Sequence, residues 1–212
     1  MARYAASPAC PSITVEAGEA PTPDAAALSL LSRPEEAFVP VVRERFAPWF
    51  VAAPLETLLP GAAGIPAVTG TRPLSAAPFP KPGSRRLVCL ADGSTAMEEV
   101  LEHEPGRRLR YIVWGYTTPA AAPIAYGVGE FRFADAAEGT AVHWTYSFAL
   151  KEDRFPGSLG ALGRGLFRLA FLDTRYSRFM ASGMRAIGKR AIAELDGAAE
   201  QALRGHRTAA LR

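Results

Sequence analysis

One stretch of this chain, GTAVHWTYSFAL from Gly139 to Leu150, sets a histidine among three aromatic residues. His143 is a potential general base near neutral pH, because an imidazole is the side chain that titrates there. A strand sends alternate side chains to opposite faces, so Val142, Trp144, Tyr146 and Phe148 share one side and Ala141, His143, Thr145 and Ser147 the other. His143 therefore falls on the small polar face. No Ser, Cys or carboxylate stands at a spacing that would make a dyad with it, and a surface histidine is expected. Tyr111, Tyr126 and Tyr146 each combine apolar bulk with one hydroxyl, a pairing that suits orienting a flat oxygenated ligand and equally suits an ordinary core. The sequence has no Gly-rich phosphate loop, H-E-x-x-H or G-x-S-x-G, and the glycines of AYGVGEF lack the context of a nucleotide site. Cys10 and Cys89 are the only cysteines, far apart and without Cys-x-x-Cys spacing. Neither a zinc site nor a disulfide framework is indicated, and both read as reduced thiols. No metal and no cofactor is expected.

Composition bounds the rest. The chain has 212 residues, 49% hydrophobic and 21% charged, with a formal net charge of +3. That is enough for one globular domain over 1–212 with a substantial core. The basic residues are mostly arginines scattered along the chain, without a cluster interleaved with stacking aromatics, which argues against a nucleic-acid partner. The first residues lack the apolar run of a signal peptide, and no stretch of about 18 apolar residues occurs to span a membrane. A cytoplasmic location is expected. The oligomeric state is left open.

The elements that must position these side chains follow from periodicity. Ser12 to Ala17 alternates as a short first strand. Thr22-Pro23-Asp24 opens a helix continued by AAALSLL, and Pro34 opens a second, EEAFVPVVRERF, in which Phe38, Val41, Val42 and Phe46 form an apolar stripe that Pro40 kinks or divides. Residues 48–82 are rich in Pro and Gly, too apolar for a plain linker, and are expected to fold over the surface or across a pocket mouth. Five strands follow: SRRLVCL, AMEEVLEHE, RRLRYIVWGY, AYGVGEFRF and GTAVHWTYSFAL, joined by turns that include Asp92-Gly93 and Pro105-Gly106. Short turns between consecutive strands make an antiparallel meander. After Pro156 the period changes. Leu162, Leu166, Leu169 and Ala170, then Tyr176, Met180, Met184, Ile187, Ala191 and Leu195, recur at helical spacing, with a break expected near Asp173-Thr174. Arg164, Arg168, Arg175, Arg178, Arg185, Lys189 and Arg190 lie on the other face, expected to be solvated. Residues 204–212 are expected to form a flexible tail.

This order of strand, two short helices, antiparallel meander and long carboxy-terminal helix resembles the SRPBCC superfamily, also called the START-like or helix-grip fold. PGSRRLVCLADGSTAMEEVLEHEPGRRLRYIVWG is similar to that superfamily's run of a Gly-Arg strand, an Asp-Gly turn, a strand with Glu, an acidic-Pro-Gly-Arg turn and a Tyr-containing strand. GTAVHWTYSF is similar to its G-T-x-V-x-W signature, and GMRAIGKRAIAEL to the end of its gripping helix. The 48–82 segment departs from the short connection usual there.

The resemblance implies an α+β fold whose curved sheet wraps the long helix and leaves an apolar cavity between them. Trp144, Tyr146 and Phe148 would line its wall, joined by Glu98 and Val100, by Leu109, Tyr111 and Val113, and by Tyr126 and Val128. A bulge at Gly127 or Gly129 would instead turn Phe131 and Phe133 inward. Phe179, Met180 and Met184 would line it from the helix, although such a stripe is also ordinary core. Glu98 is the best catalytic candidate: a carboxylate on an apolar wall must be paired or protonated, and desolvation moves it toward a useful acid or base range. It would otherwise anchor a ligand or pair with Arg86 or Arg110. Three functions are compatible with these features. The first is binding of a hydrophobic, polyketide-like or lipid-like small molecule. The second resembles the polyketide cyclase/dehydratase branch, with Glu98, Tyr111 and Tyr126 as polar groups. The third is a protein-interaction module with a filled core, docking through 48–82.

Overall fold

The computed structural model of the chain describes Cys10 and residues 18–209, with side chains as far as Leu195. A seven-stranded antiparallel sheet, in the order β1-β7-β6-β5-β4-β3-β2, curves around a long carboxy-terminal helix. The α+β helix-grip architecture is therefore present. The strand expected at 12–17 lies outside the described residues.

Helix α1, Ala25–Leu30, begins where Asp24 caps it, its carboxylate accepting the Ala26 and Ala27 N–H groups. The helix expected from Pro34 is replaced by a strand. Ser32–Val39 is β1, paired with β7 from Ser32↔Ser147 to Val39↔Thr140. It is an edge strand, the position in a sheet that tolerates Pro34. Pro40 divides this strand from α2, Arg43–Ala52, so the stripe of Phe38, Val41, Val42 and Phe46 does not exist as one face: Phe38 and Val42 are exposed while Val41 and Phe46 are buried. Residues 48–82, expected to fold over the surface or across a pocket mouth, hold the end of α2, the short α3 at Leu55–Leu58, and the second edge strand β2 at Val68–Pro73.

The meander is as the sequence implies: β3 Arg85–Leu90, β4 Thr95–Glu104, β5 Arg108–Trp114, β6 Ile124–Ala136 and β7 Gly139–Leu150. Gly93 and Gly106, at φ of 82° and 75°, supply the left-handed turns of the first two hairpins. Directly opposed residues of antiparallel strands share a face. Gly127↔Phe148, Gly129↔Tyr146 and Phe131↔Trp144 thus put these residues on the concave, helix-facing side. Tyr126 and Val128 consequently lie on the convex side, packed with Cys89, Met97, Ile112 and Trp114, and the expectation that they face inward is corrected. A register shift between Ile124 and Tyr126 turns β6 over relative to the reading that placed them on the wall.

The convex cluster also contains Cys10, which forms a disulfide with Cys89. The reduced-thiol reading is thus corrected: 79 residues of separation conceal a pairing that the fold creates by fixing Cys89 on the convex face. Disulfides are rare in reducing cytosol, so the cysteines lend nothing to the cytoplasmic expectation. No helix among the described residues is long and apolar enough to cross a membrane.

The carboxy-terminal helix is continuous rather than broken at Asp173. It comprises α4, Gly160–Phe167, a π-helical stretch at Arg168–Tyr176, and α5, Ser177–Ala209, which carries helix into the expected tail. A π turn holds an extra residue per turn and rotates what precedes it. Leu162, Leu166 and Leu169 are exposed as a result, and Phe167 and Leu172 take the buried positions. Downstream of the π stretch, Tyr176, Met180, Met184, Ile187 and Ala191 face the sheet as their spacing implies.

Candidate functional site: an apolar cavity under the helix

Between the concave face and the helices lies a cavity of about 300 Å³. Its floor comes from the sheet. Alternation on β4 presents Ala96 and Glu98, on β5 Leu109, Tyr111 and Val113, on β6 Ile124 and Phe131, and on β7 Trp144, Tyr146 and Phe148. Its roof is Phe171, Arg175, Tyr176, Phe179 and Ile187 of the long helix. The 48–82 segment closes one side with Phe50, Leu55, Leu58, Leu59, Ile65 and Phe79.

Glycines make the space possible. A Cβ on Gly127 would stand 2.5 Å from Tyr146 Cε1, and one on Gly129 would stand 2.2 Å from Tyr111 Cζ. Both tyrosine rings lie flat across β6, over positions where any other residue would lift them into the cavity. The rings are then held by their neighbours. Trp144 Nε1 donates to the Tyr111 hydroxyl at 3.2 Å, and the Trp144 indole stacks on Phe131 with centroids 4.9 Å apart. Tyr146 packs against Phe148 and Tyr176, each with centroids 4.9 Å away.

The polar inventory is small. The Glu98 carboxylate faces the cavity and accepts from Arg86 Nε at 2.7 Å. Glu98 is buried and Arg86 half-buried, and the Arg86 guanidinium lies over the Phe79 ring, 4.1 Å from its centroid. The pairing with Arg86, rather than Arg110, meets the requirement that a buried carboxylate have a counter-charge. Arg110 instead pairs with Glu102 on the outer surface. Four tyrosine hydroxyls border the same space. Tyr116 Oη and Tyr146 Oη are 3.4 Å apart. Burial pushes the hydroxyls of Tyr111, Tyr116, Tyr146 and Tyr176 well above the usual tyrosine range; the Glu98 carboxylate adds to this at Tyr111 and Tyr116. They stay protonated at neutral pH, with O–H groups that could donate to a ligand.

Of the residues singled out in the sequence, Glu98, Tyr111, Val113, Trp144, Tyr146, Phe148 and Phe179 are brought together around this cavity. Val100, Met180 and Met184 are not: they are buried in the packed core beside it, with exposures of 1%, 0% and 4%. Tyr126 and Val128 are on the far face, where the Tyr126 hydroxyl accepts the Asp24 N–H. His143 is on the outer surface with Nδ1 3.0 Å from Glu36, as alternation implies. Among the described residues no cluster of His, Cys, Asp and Glu is placed to hold a metal ion.

Several lining residues escaped the sequence reading. Phe50, Leu55, Leu58, Ile65 and Phe79 sit in the segment whose path only the fold reveals, although its apolar character pointed to a pocket mouth. Phe131, by contrast, was named in the alternative phase of β6, which is the phase the strand adopts. Arg175 was assigned to the solvated face of the helix, and Tyr116 follows the end of β5.

Comparison with known proteins agrees with this geometry. A family model described as polyketide cyclase/dehydrase and lipid transport matches residues 60–192. No curated protein sequence matches the chain. Among solved structures, Ara h 8.0201 superposes with a TM-score of 0.53 at 16% identity, covering 77% of this chain and 98% of that one. Major latex-like protein 151 from Panax ginseng gives 0.53 at 16% identity, covering 76% and 97%. The di-domain ARO/CYC StfQ from the steffimycin biosynthetic pathway gives 0.55 at 16% identity, covering 80% of this chain and 54% of the two-domain protein. At such identities the likeness is one of fold.

Proposed function

The chain belongs to the polyketide cyclase/dehydrase and lipid transport family, and from that premise we propose that it binds one flat, largely hydrophobic small molecule of polyketide or lipid type in the cavity between sheet and helix. The observation that carries this reading is the cavity itself. A volume of about 300 Å³ lies at the lower end of the range for small-molecule sites, whereas a module that only packs a core keeps few voids larger than a water molecule. The same cavity weighs against the filled-core alternative. The walls are aromatic and aliphatic, and the donors are few and fixed, as recognition of an oxygenated ring system requires. Native mass spectrometry of freshly purified protein, before and after a lipid-stripping step, tests the reading. A discrete adduct in the mass range of a small lipid or polyketide, lost on stripping, is expected. Bare protein throughout, together with no saturable uptake of a neutral apolar probe, would contradict it.

A catalytic reading, in which the family's cyclase/dehydrase chemistry is performed here, is favoured by one feature: a carboxylate and four tyrosine hydroxyls face the same cavity. Glu98 would take a proton from a carbon between two carbonyls, and a Tyr111 or Tyr116 O–H would stabilise the enolate oxygen. The ion pair with Arg86 that occupies Glu98 places this reading behind binding. Glu98→Gln would abolish turnover of a poly-β-keto substrate under the catalytic reading and leave binding of a neutral probe within a few-fold under the other.

A further inference from the structure

Seven basic residues were read from the sequence as the solvated face of the carboxy-terminal helix. Six of them behave so: Arg164, Arg178, Arg185 and Lys189 do not border the cavity, and Arg168 and Arg190 engage Asp173 and Glu194. Arg175 is different. It borders the cavity together with Phe171 and Phe179, which stand four residues before and after it, and with its neighbour Tyr176. It lies within the π-helical stretch Arg168–Tyr176, a local widening that re-aims side chains and is frequent at functional sites. A cation thus occupies a position on a cavity-facing ridge that is otherwise aromatic. Its guanidinium has no hydrogen-bond or ion-pair partner among the described residues, and the residue is exposed at one edge of the cavity.

The other charges around the space are already engaged. Arg86 and Glu98 neutralise each other. The Asp92 carboxylate, on the β3–β4 turn, accepts both the Ser94 N–H at 3.0 Å and the Ser94 hydroxyl at 2.6 Å. Among the described charged residues that border it, Arg175 is the one without a hydrogen-bond or ion-pair partner, and its guanidinium is a planar fork suited to a carboxylate, sulfonate or phosphate. We infer that Arg175 is the specificity-determining residue of the cavity, and that the ligand is an amphiphilic anion whose apolar body lies against Trp144 and Phe131 and whose anionic group is held by Arg175. This rests on the binding reading above and narrows it to a ligand class.

A matched pair of fluorescent probes separates the two claims. 1-Anilinonaphthalene-8-sulfonate carries a sulfonate, and N-phenyl-1-naphthylamine is nearly the same ring system without it. Arg175→Gln should weaken the anionic probe at least about threefold, the scale of one partly exposed charge-assisted contact, and leave the neutral probe within a factor of two. Asp92→Asn removes a carboxylate that borders the same cavity and should strengthen the anionic probe. The preference of the parent protein for the anionic probe should shrink with added salt. Equal losses for both probes, or no loss for either, in Arg175→Gln would overturn the assignment while leaving the cavity reading intact. Failure of the parent to take up either probe would overturn both. Displacement of the anionic probe by dodecanoate, compared with dodecyl phosphate, names the head group; displacement by neither would also count against an anionic ligand.

Discussion

Replacing Gly129 by Ala should convert a ligand site into a partly filled core. The added Cβ would lie 2.2 Å from Tyr111 Cζ and 2.4 Å from its hydroxyl oxygen, whereas ordinary carbon contacts begin at about 3.5 Å. The tip of the ring must therefore retreat by more than about 1 Å. The strand lies beneath it and Trp144 and Phe131 stand beside it, so the open direction is into the cavity. The move gives up the hydrogen bond from Trp144, worth about 0.5–1.5 kcal/mol, and strains the packing by about 1–3 kcal/mol. Alanine returns about 0.4–1 kcal/mol by restricting the unfolded chain. A net loss of about 1–3 kcal/mol follows, measured by urea unfolding with unchanged slope. The larger effect is on binding. A ring displaced into a space of about 300 Å³ removes the volume a ligand needs, so affinity for N-phenyl-1-naphthylamine should fall at least about tenfold, a loss of about 1.4 kcal/mol. Gly165→Ala is the control, since its Cβ would meet nothing within 4 Å. In a helix interior it should stabilise by about 0.5–1 kcal/mol and leave the probe alone. If Gly129→Ala binds the probe as the parent does and unfolds at the same midpoint, the Tyr111 ring does not lie across β6 and the account of how the cavity is kept open is wrong.

Further outcomes are expected. Arg86→Met leaves the Glu98 carboxylate buried without a counter-charge and should cost about 3–5 kcal/mol, while the double variant Arg86→Met/Glu98→Leu recovers much of it; equal losses would mean the pair is not the reason. Tyr111, Tyr116, Tyr146 and Tyr176 are held protonated by burial. Unfolding frees them to ionise, so their contribution is full below the ordinary tyrosine value and declines as pH rises beyond about 10. Absorbance at about 295 nm should accordingly show these tyrosines ionising only with the loss of near-ultraviolet circular dichroism; smooth ionisation of the native protein would contradict their burial. His103 is held below the ordinary histidine range by desolvation. The unfolded state then binds the proton more readily, stability drops as pH falls through about 6.5, and His103→Gln should flatten that part of the profile. Reduction of Cys10–Cys89, which closes a long stretch of chain, should lower stability by about 2–4 kcal/mol without abolishing probe binding, because the bond lies on the convex side.

How much of this was legible depended on whether a residue's place is set locally. The five meander strands and their Asp92-Gly93 and Pro105-Gly106 turns were readable because alternation and turn chemistry are short-range signals. So was the inward set on β7, where Trp144, Tyr146 and Phe148 leave no doubt which face is apolar. On β6 both faces are apolar, one from Tyr126 and Val128 and the other from Phe131 and Phe133, so the period gives the strand but not its phase. Two glycines decide it, and their meaning is visible only once Tyr111 and Tyr146 lie over them. The helix read from Pro34 failed for a different reason. Phe38, Val41, Val42 and Phe46 mimic a helical period across a boundary at Pro40, and pairing with β7 outweighs that local pattern. The family's order of elements was recognisable even so, because β1, α2 and α3 are the strand and two helices it requires, placed some twenty residues further along. The exposed Leu162, Leu166 and Leu169 and the place of Arg175 at the cavity's edge go with a π-helical stretch that no sequence period announces. The Cys10–Cys89 bond joins residues that only the folded sheet makes neighbours.

The central claim, a single ligand cavity under the helix, is tested most directly by equilibrium titration of N-phenyl-1-naphthylamine into the parent protein and into Ala96→Phe. Ala96 is 4% exposed and borders the cavity from β4, so the larger ring occupies the space a ligand would fill. The parent should bind saturably with one probe per chain, and Ala96→Phe should lose that binding while still unfolding cooperatively. Non-saturating uptake by the parent, or undiminished one-to-one binding by a folded Ala96→Phe, would place the ligand elsewhere and contradict the account.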